Sequence, residues 1–131
     1  MAESKAVLKV SIKEAFKMWL EFTRPFNKLT NQELEFMAML LYHRHVISKE
    51  VNSEMYINKI LFGTEMRKQY REEMNVHPQI LLNILSNLRK KGIIVNDTIR
   101  KPFIPKISKD PKDKIFKIIF ELQIDEGDGK G

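Results

Sequence analysis

The segment VHPQILLNILSNLRKKGII, residues 76–94, predicts a helix with both ends marked, followed by a change to extended chain. Pro78 fits the first helical position, because the N–H that proline lacks would be unpaired there anyway. Gly92 fits the left-handed position just past the last turn, and the basic residues before it complement the negative end of the helix dipole. Leucines at spacings of four and three give this helix one apolar stripe: Leu81, Leu85 and Leu88.

The same helix carries polar side chains on its free face. Its outward positions carry Gln79, Asn83, Ser86 and Asn87. Amide side chains on the free face of a helix are the groups that can read adenine edges in the major groove. These four residues are therefore predicted to face a DNA groove.

Basic charge is concentrated in one part of the chain. Residues 89–117 contain ten Lys or Arg against three acids, a balance of +7, whereas the whole chain carries +6. Basic charge gathered on one contiguous element is typical of a phosphate-binding surface. The alternative is a solvated lysine-rich hairpin that only keeps a small protein soluble.

Composition limits the remaining possibilities. A chain of 131 residues with 43% hydrophobic content fits one compact domain with a real core. It contains no cysteine, so neither disulfides nor thiolate metal sites are available. The first ten residues contain no long apolar segment, so we expect no secretory signal, and the longest apolar run, Phe36 to Tyr42, is far too short to span a bilayer. We expect a cytoplasmic protein with no membrane partner, or a virion component under the second hypothesis below.

Capping signals and apolar spacing predict five helices. Ser11 with Glu14, and Thr30 with Glu33, are capping-box signatures at two helix starts. The predicted helices cover about residues 11–24, 30–45, 53–62, 64–74 and 78–91, and the segment 46–51 fits a short strand or a loop.

After Gly92 the pattern is extended. Ile93 to Val95 is a short β-branched run, and Asn96-Asp97 offers a turn. The segment 99–107 contains two prolines and fits an edge strand or an irregular one. Residues 115–124 (IFKIIFELQI) alternate as a strand does.

Two sequence blocks resemble the winged helix-turn-helix superfamily. The first is YREEMNVH, residues 70–77, with bulky apolar residues in its first and fifth positions and an Asn-Val pair before the next helix. The second is LRKKGII, residues 88–94, which combines a leucine, basic residues, a glycine and an apolar pair. The resemblance implies a mainly α fold with a small antiparallel β-hairpin, a winged helix-turn-helix with an extra N-terminal helix. Residues 78–91 would then be the recognition helix, and residues 93–124 would carry the wing.

The corresponding domain organisation has three parts. We expect an N-terminal extension with an amphipathic helix over residues 1–29, a winged-helix domain over 30–124 and a flexible tail over 125–131. The domain from residue 30 onward could form a complete core without the first helix. The apolar residues of that helix, Phe16, Trp19 and Leu20, would then contact a second subunit in a homodimer. The alternative is that they form an extra part of the core of one chain.

The first functional hypothesis is a small winged-helix DNA-binding protein that regulates transcription or replication, with double-stranded DNA as its partner. Cations near the helix end and on the wing would contact phosphate. They are Arg89, Lys90, Lys91, Arg100, Lys101, Lys109, Lys112 and Lys114.

The second hypothesis is a protein-interaction or assembly module, for example a phage structural or adaptor component, that does not read DNA. It is motivated by apolar Ile80 and Leu82 on the would-be reading face. The lysine- and isoleucine-rich composition is typical of an AT-rich bacterial or phage genome.

Catalysis is not expected. His43 and His45 are two residues apart on a helix, so their side chains point in different directions and cannot share a metal. Glu72 and Glu73 form a surface pair, and the chain has no phosphate-binding glycine loop or Gly-x-Ser-x-Gly turn. We expect no enzyme activity, metal or cofactor, and infer no small-molecule ligand.

Overall fold

The computed structural model describes residues 10–105, and this part of the chain is mainly helical. The α-helices are α1 (Ile12–Phe22), α2 (Arg24–Asn27), α3 (Asn31–Ser48), α4 (Glu54–Leu61), α5 (Thr64–Met74) and α6 (Pro78–Lys90). A 3₁₀ helix covers Lys101–Phe103. The segment that could have been a strand or a loop, residues 46–51, instead continues α3 to Ser48 and then turns.

The core is built around α3. Phe36, Met37 and Leu40 are 0% exposed, and burial of such a side chain stabilises a fold by about 1.5–3 kcal/mol. Tyr70 of α5 packs edge-on against Phe36 with ring centroids 5.7 Å apart, and its hydroxyl donates to the backbone oxygen of Leu61, 2.7 Å away. Burial and the nearby Glu73 raise the pKa of this hydroxyl, so it remains a hydrogen-bond donor. The contact joins α3, α4 and α5.

Helix α1 belongs to this core. Phe16, Trp19 and Leu20 are buried in the same cluster as the apolar residues of α3. The three side chains proposed as subunit contacts thus pack within one chain.

The predicted N-terminal caps form as hydrogen bonds. The Ser11 hydroxyl accepts from the backbone N–H of Glu14 at 3.1 Å. Thr30 and Glu33 form a complete capping box, with bonds of 3.2 Å and 3.0 Å in the two directions. Both caps satisfy backbone N–H groups that a helix start leaves without partners.

A short helix that the sequence did not predict, α2, turns the chain between α1 and α3. The buried Asn27 fixes this corner, because its amide nitrogen donates to the Leu20 carbonyl at 3.1 Å and to the Thr23 hydroxyl at 3.0 Å. Its amide oxygen accepts from the Leu29 N–H at 3.0 Å. Such a satisfied buried amide sets the direction in which α3 leaves.

The chain reverses direction after α5 and after α6 through left-handed residues. Asn75 has φ 53°, and the Val76 N–H then bonds to the Arg71 carbonyl at 3.1 Å. Gly92 has φ 75°, and the Ile93 N–H bonds to the Leu88 carbonyl at 3.0 Å. Both are Schellman-type endings, in which N–H groups just past the helix bond to carbonyls of the last turn that would otherwise have no partner. The result is the expected order of helix, three-residue turn and helix over α5 and α6.

The predicted fold class is wrong. Within residues 10–105 there is no strand, sheet or β-hairpin, only one isolated antiparallel bridge between Ile94 and Ile99. A tight turn closes the bridge, with positive φ at Asn96 (51°) and Asp97 (53°). The observed fold is therefore a mainly helical one, and the implied winged helix-turn-helix does not describe it.

The residues on both sides of this turn explain why no β-ladder forms there. Pro102 lies inside the 3₁₀ helix Lys101–Phe103, directly where the second arm of a hairpin would run, and it has no N–H to donate. The isoleucines of the first arm are buried instead in the helical core. The predicted strand over 115–124 and the last part of the wing lie outside the described residues.

Candidate nucleic-acid interface

Helix α6 has one buried face and one solvent face. Leu81, Ile84, Leu85 and Leu88 are buried. The sequence-predicted groove residues lie on the other side: Gln79, Asn83 and Asn87 are exposed, and Ser86 is half-buried. The Gln79 side-chain nitrogen donates to the Asn83 amide oxygen at 3.0 Å, so two amides lie one turn apart on the free surface.

The first turn of α6 carries no cation, and its cap is an imidazole. The His77 Nδ1 accepts from the Gln79 backbone N–H at 3.1 Å. Apolar side chains share the surface here, since Ile80 is 37% exposed and Leu82 is 50% exposed. The start of α6 is thus a neutral surface of amides and aliphatic groups.

Positive charge begins at the other end of α6. Arg89, Lys90, Arg100 and Lys101 are all exposed. The Arg100 Nη1 donates to the Gly92 carbonyl at 3.2 Å, which holds the 94–99 turn against the end of the helix.

Three of these cations, Lys90, Arg100 and Lys101, form no ion pair with a carboxylate among the described residues. The Arg89 Nη2 lies 3.6 Å from the Asp97 Oδ1, a loose pair. Exposed cations without a carboxylate partner are the ones free to contact a phosphate.

Lys91 has a different role from its neighbours. Its ammonium contacts the carboxylate of Glu33 and donates to the Lys28 carbonyl at 2.8 Å. The Glu33 side chain is 4% exposed and the Lys91 side chain 29%, so this partly buried pair ties the start of α3 to the end of α6. We therefore leave Lys91 out of the candidate interface.

The environment of Glu33 keeps it charged. Burial alone would raise its pKa, but hydrogen bonds from Lys91 and from the Thr30 backbone, with the Lys91 charge, hold the pKa below the ordinary 4.5. A carboxylate stabilised in this way makes the fold sensitive to acid.

The backbone of Lys28 lies beside the end of α6, a contact that the sequence did not predict. The Lys28 backbone oxygen accepts from the Lys91 ammonium, 63 positions away in the sequence. Lys28 has φ 56°, which places it in the sharp turn after α2. No local pattern could have indicated this. Lys109, Lys112 and Lys114 lie outside the described residues and stay predictions.

The histidines are engaged in packing contacts. The His43 Nε2 lies 2.9 Å from the Glu73 Oε1, and Gln69 donates to the same oxygen at 2.9 Å. His45 packs edge-on against Phe16, and burial, with the Lys49 charge, lowers its pKa below 6.5. Among residues 10–105, no three His, Asp or Glu side chains lie close enough together to hold a metal ion.

Comparison with known proteins gives no relative from which a function could be transferred: the chain matches no protein-family model, no curated protein and no solved structure. In the described part of the chain, every helix is too short or too polar to cross a bilayer.

Proposed function

We propose that this protein binds double-stranded DNA through the free face of α6. The observation that carries the proposal is the layout of this single helix. Exposed amides at Gln79, Asn83 and Asn87 are followed by exposed cations at its C-terminal end. Amides can donate and accept at base edges, whereas cations bind the phosphates that flank a groove.

Phosphate binding would supply most of the affinity. Four cations form the basic end: Arg89, Lys90, Arg100 and Lys101. Each phosphate neutralised by a cation releases counterions from the duplex, so the binding constant falls as salt rises. The binding site also has a fixed shape, because the Schellman ending and the Arg100 contact hold the 94–99 turn beside the helix.

The test is a fluorescence-anisotropy titration of a random-sequence duplex with the full chain at several salt concentrations. With four phosphate contacts, the slope of log K against log salt should be about −3 to −4. At physiological salt, non-specific dissociation constants of about 10⁻⁴ to 10⁻⁶ M are expected. No binding at low salt, or binding that does not change with salt, would contradict the proposal.

A second candidate function is protein binding by the same helix. Ile80 and Leu82 expose apolar surface beside the amides, and exposed apolar groups favour a protein partner. In DNA binding, Leu82 would instead contact a thymine methyl group. The same titration separates the two candidates, because a protein-binding surface gives no salt-dependent affinity for random duplex.

A further inference from the structure

The outward side of α1 carries a continuous stripe of its own. Glu14, Lys17, Met18, Glu21 and Phe22 follow spacings of three and four residues, and together they line one surface hollow. The opposite side of α1 is buried against α3. We call these five residues the α1 stripe.

Aromatic surface continues past the end of the α1 stripe. Phe22 is 64% exposed, and Phe26 of α2 is 70% exposed, four residues further on. The phenylalanine side chain has no polar atom that can hydrogen-bond to water, so each of these exposed rings is apolar surface near the end of α1. Burial of either ring in an interface would be favourable.

The charges on the α1 stripe are complementary to those of a second copy of α1 that runs in the opposite direction. Lys17 and Glu21 lie four residues apart on either side of Trp19. If two copies pair antiparallel about a two-fold axis at the level of Trp19, Lys17 of each copy comes opposite Glu21 of the other. The contact is isologous, so one pattern supplies two ion pairs.

Lys17 and Glu21 each form an exposed ion pair within the chain, and these pairs are weak enough to be replaced by pairs with a second copy. Lys17 contacts Glu35 of α3, and the two side chains are 47% and 54% exposed. Glu21 lies 3.3 Å from an Arg24 nitrogen and is 51% exposed. Exposed pairs of this kind contribute little to stability, so they can exchange for equivalent pairs across an interface.

We propose that the α1 stripe, with Phe26, is a self-association surface that a second copy of this chain covers in antiparallel orientation. The occupant is a second copy because Lys17 and Glu21 match their own reversed arrangement and the apolar residues lie beside them. This surface has six residues, against about 20–30 a side in a stable interface, so the dimer forms at high protein concentration. This inference does not depend on DNA binding.

The first test measures the mass of the full chain by light scattering over a wide range of concentration, without DNA. The average mass should rise from monomer to dimer. Phe22→Ser should raise the dimer dissociation constant about tenfold or more, because buried aromatic residues dominate small interfaces. Met55→Ser on α4 is the matched control, since Met55 is 68% exposed and lies outside the α1 stripe. It should leave the constant unchanged.

The second test uses charge exchange. Lys17→Glu and Glu21→Lys should each raise the dissociation constant about tenfold, because each places like charges opposite one another. An equimolar mixture of the two variants should recover dimers, since one copy then carries only acids and the other only bases at these positions.

Three results would overturn the proposal. They are a monomeric mass at every concentration, a dimer that Phe22→Ser leaves intact, and a mixture of the two charge variants that stays as weak as each alone. The last result would indicate that the α1 stripe has a different occupant, such as an unlike partner or a terminal segment of the same chain.

Discussion

Reversing the charge of Lys90 and Lys101 together should lower the affinity for duplex DNA on the order of a hundredfold at low salt. Both side chains are exposed cations without an ion-pair partner among the described residues. Loss of two phosphate contacts should also make the salt slope shallower by about two units. The measurement is the anisotropy titration, repeated for Lys90→Glu combined with Lys101→Glu.

A matched control separates the site from the net charge. Lys13→Glu combined with Lys59→Glu changes the net charge equally, but these exposed lysines lie on α1 and α4. This variant should lose only a few-fold in affinity through the weaker overall field. Equal losses in the two double variants would show that the basic end of α6 has no special part in binding.

The second large effect concerns the ion pair of Lys91 and Glu33. Lys91→Met should lower the free energy of unfolding by about 2–3 kcal/mol, because it leaves a buried carboxylate without its counter-charge. This loss is smaller than the roughly 3–5 kcal/mol for a fully buried pair, since the Lys91 side chain is itself 29% exposed. Lys90→Met is the matched control at the next position, and it should change stability by less than about 0.5 kcal/mol. Urea unfolding of both variants gives the comparison.

This ion pair also predicts how stability depends on pH. The pKa of Glu33 is lowered in the folded protein, so its contribution is fully present above 4.5 and is lost as the pH falls from 4.5 through the folded value. The loss should be smaller in Lys91→Met, where an important cause of the lowered pKa is gone. The lowered pKa of His45 also makes the free energy of unfolding fall below pH 6.5. This fall is the same in the wild-type protein and in Lys91→Met, so it cancels when the two pH profiles are subtracted. An unchanged acid profile in Lys91→Met would contradict this role.

Local signals predicted the helices well. The cap at Thr30, Pro78 at the first position of α6 and Gly92 after its end each act through neighbouring backbone groups, so the sequence alone shows them. The free face of α6 followed from the leucine spacing in the same way.

Features that depend on distant residues could not be predicted. The Ile93–Val95 run indicated a strand by its β-branched residues, but the core of the helices buries the isoleucines of this run instead. The first helix, predicted over about residues 11–24, ends at Phe22, and nothing local indicated that Asn27 would stabilise a further short helix. The contact of Lys91 with Glu33 joins positions 58 residues apart, so a lysine assigned to phosphate turned out to bind a buried acid.

Backbone amide chemical shifts of the full chain, recorded with and without a random duplex, show directly whether DNA contacts the free face of α6. We expect the largest shifts on residues 79–90 and on Arg100 and Lys101, while α4 and the outer side of α1 change little. Shifts concentrated on α1 or α4, or none at protein and DNA concentrations where binding is expected, would contradict this contact.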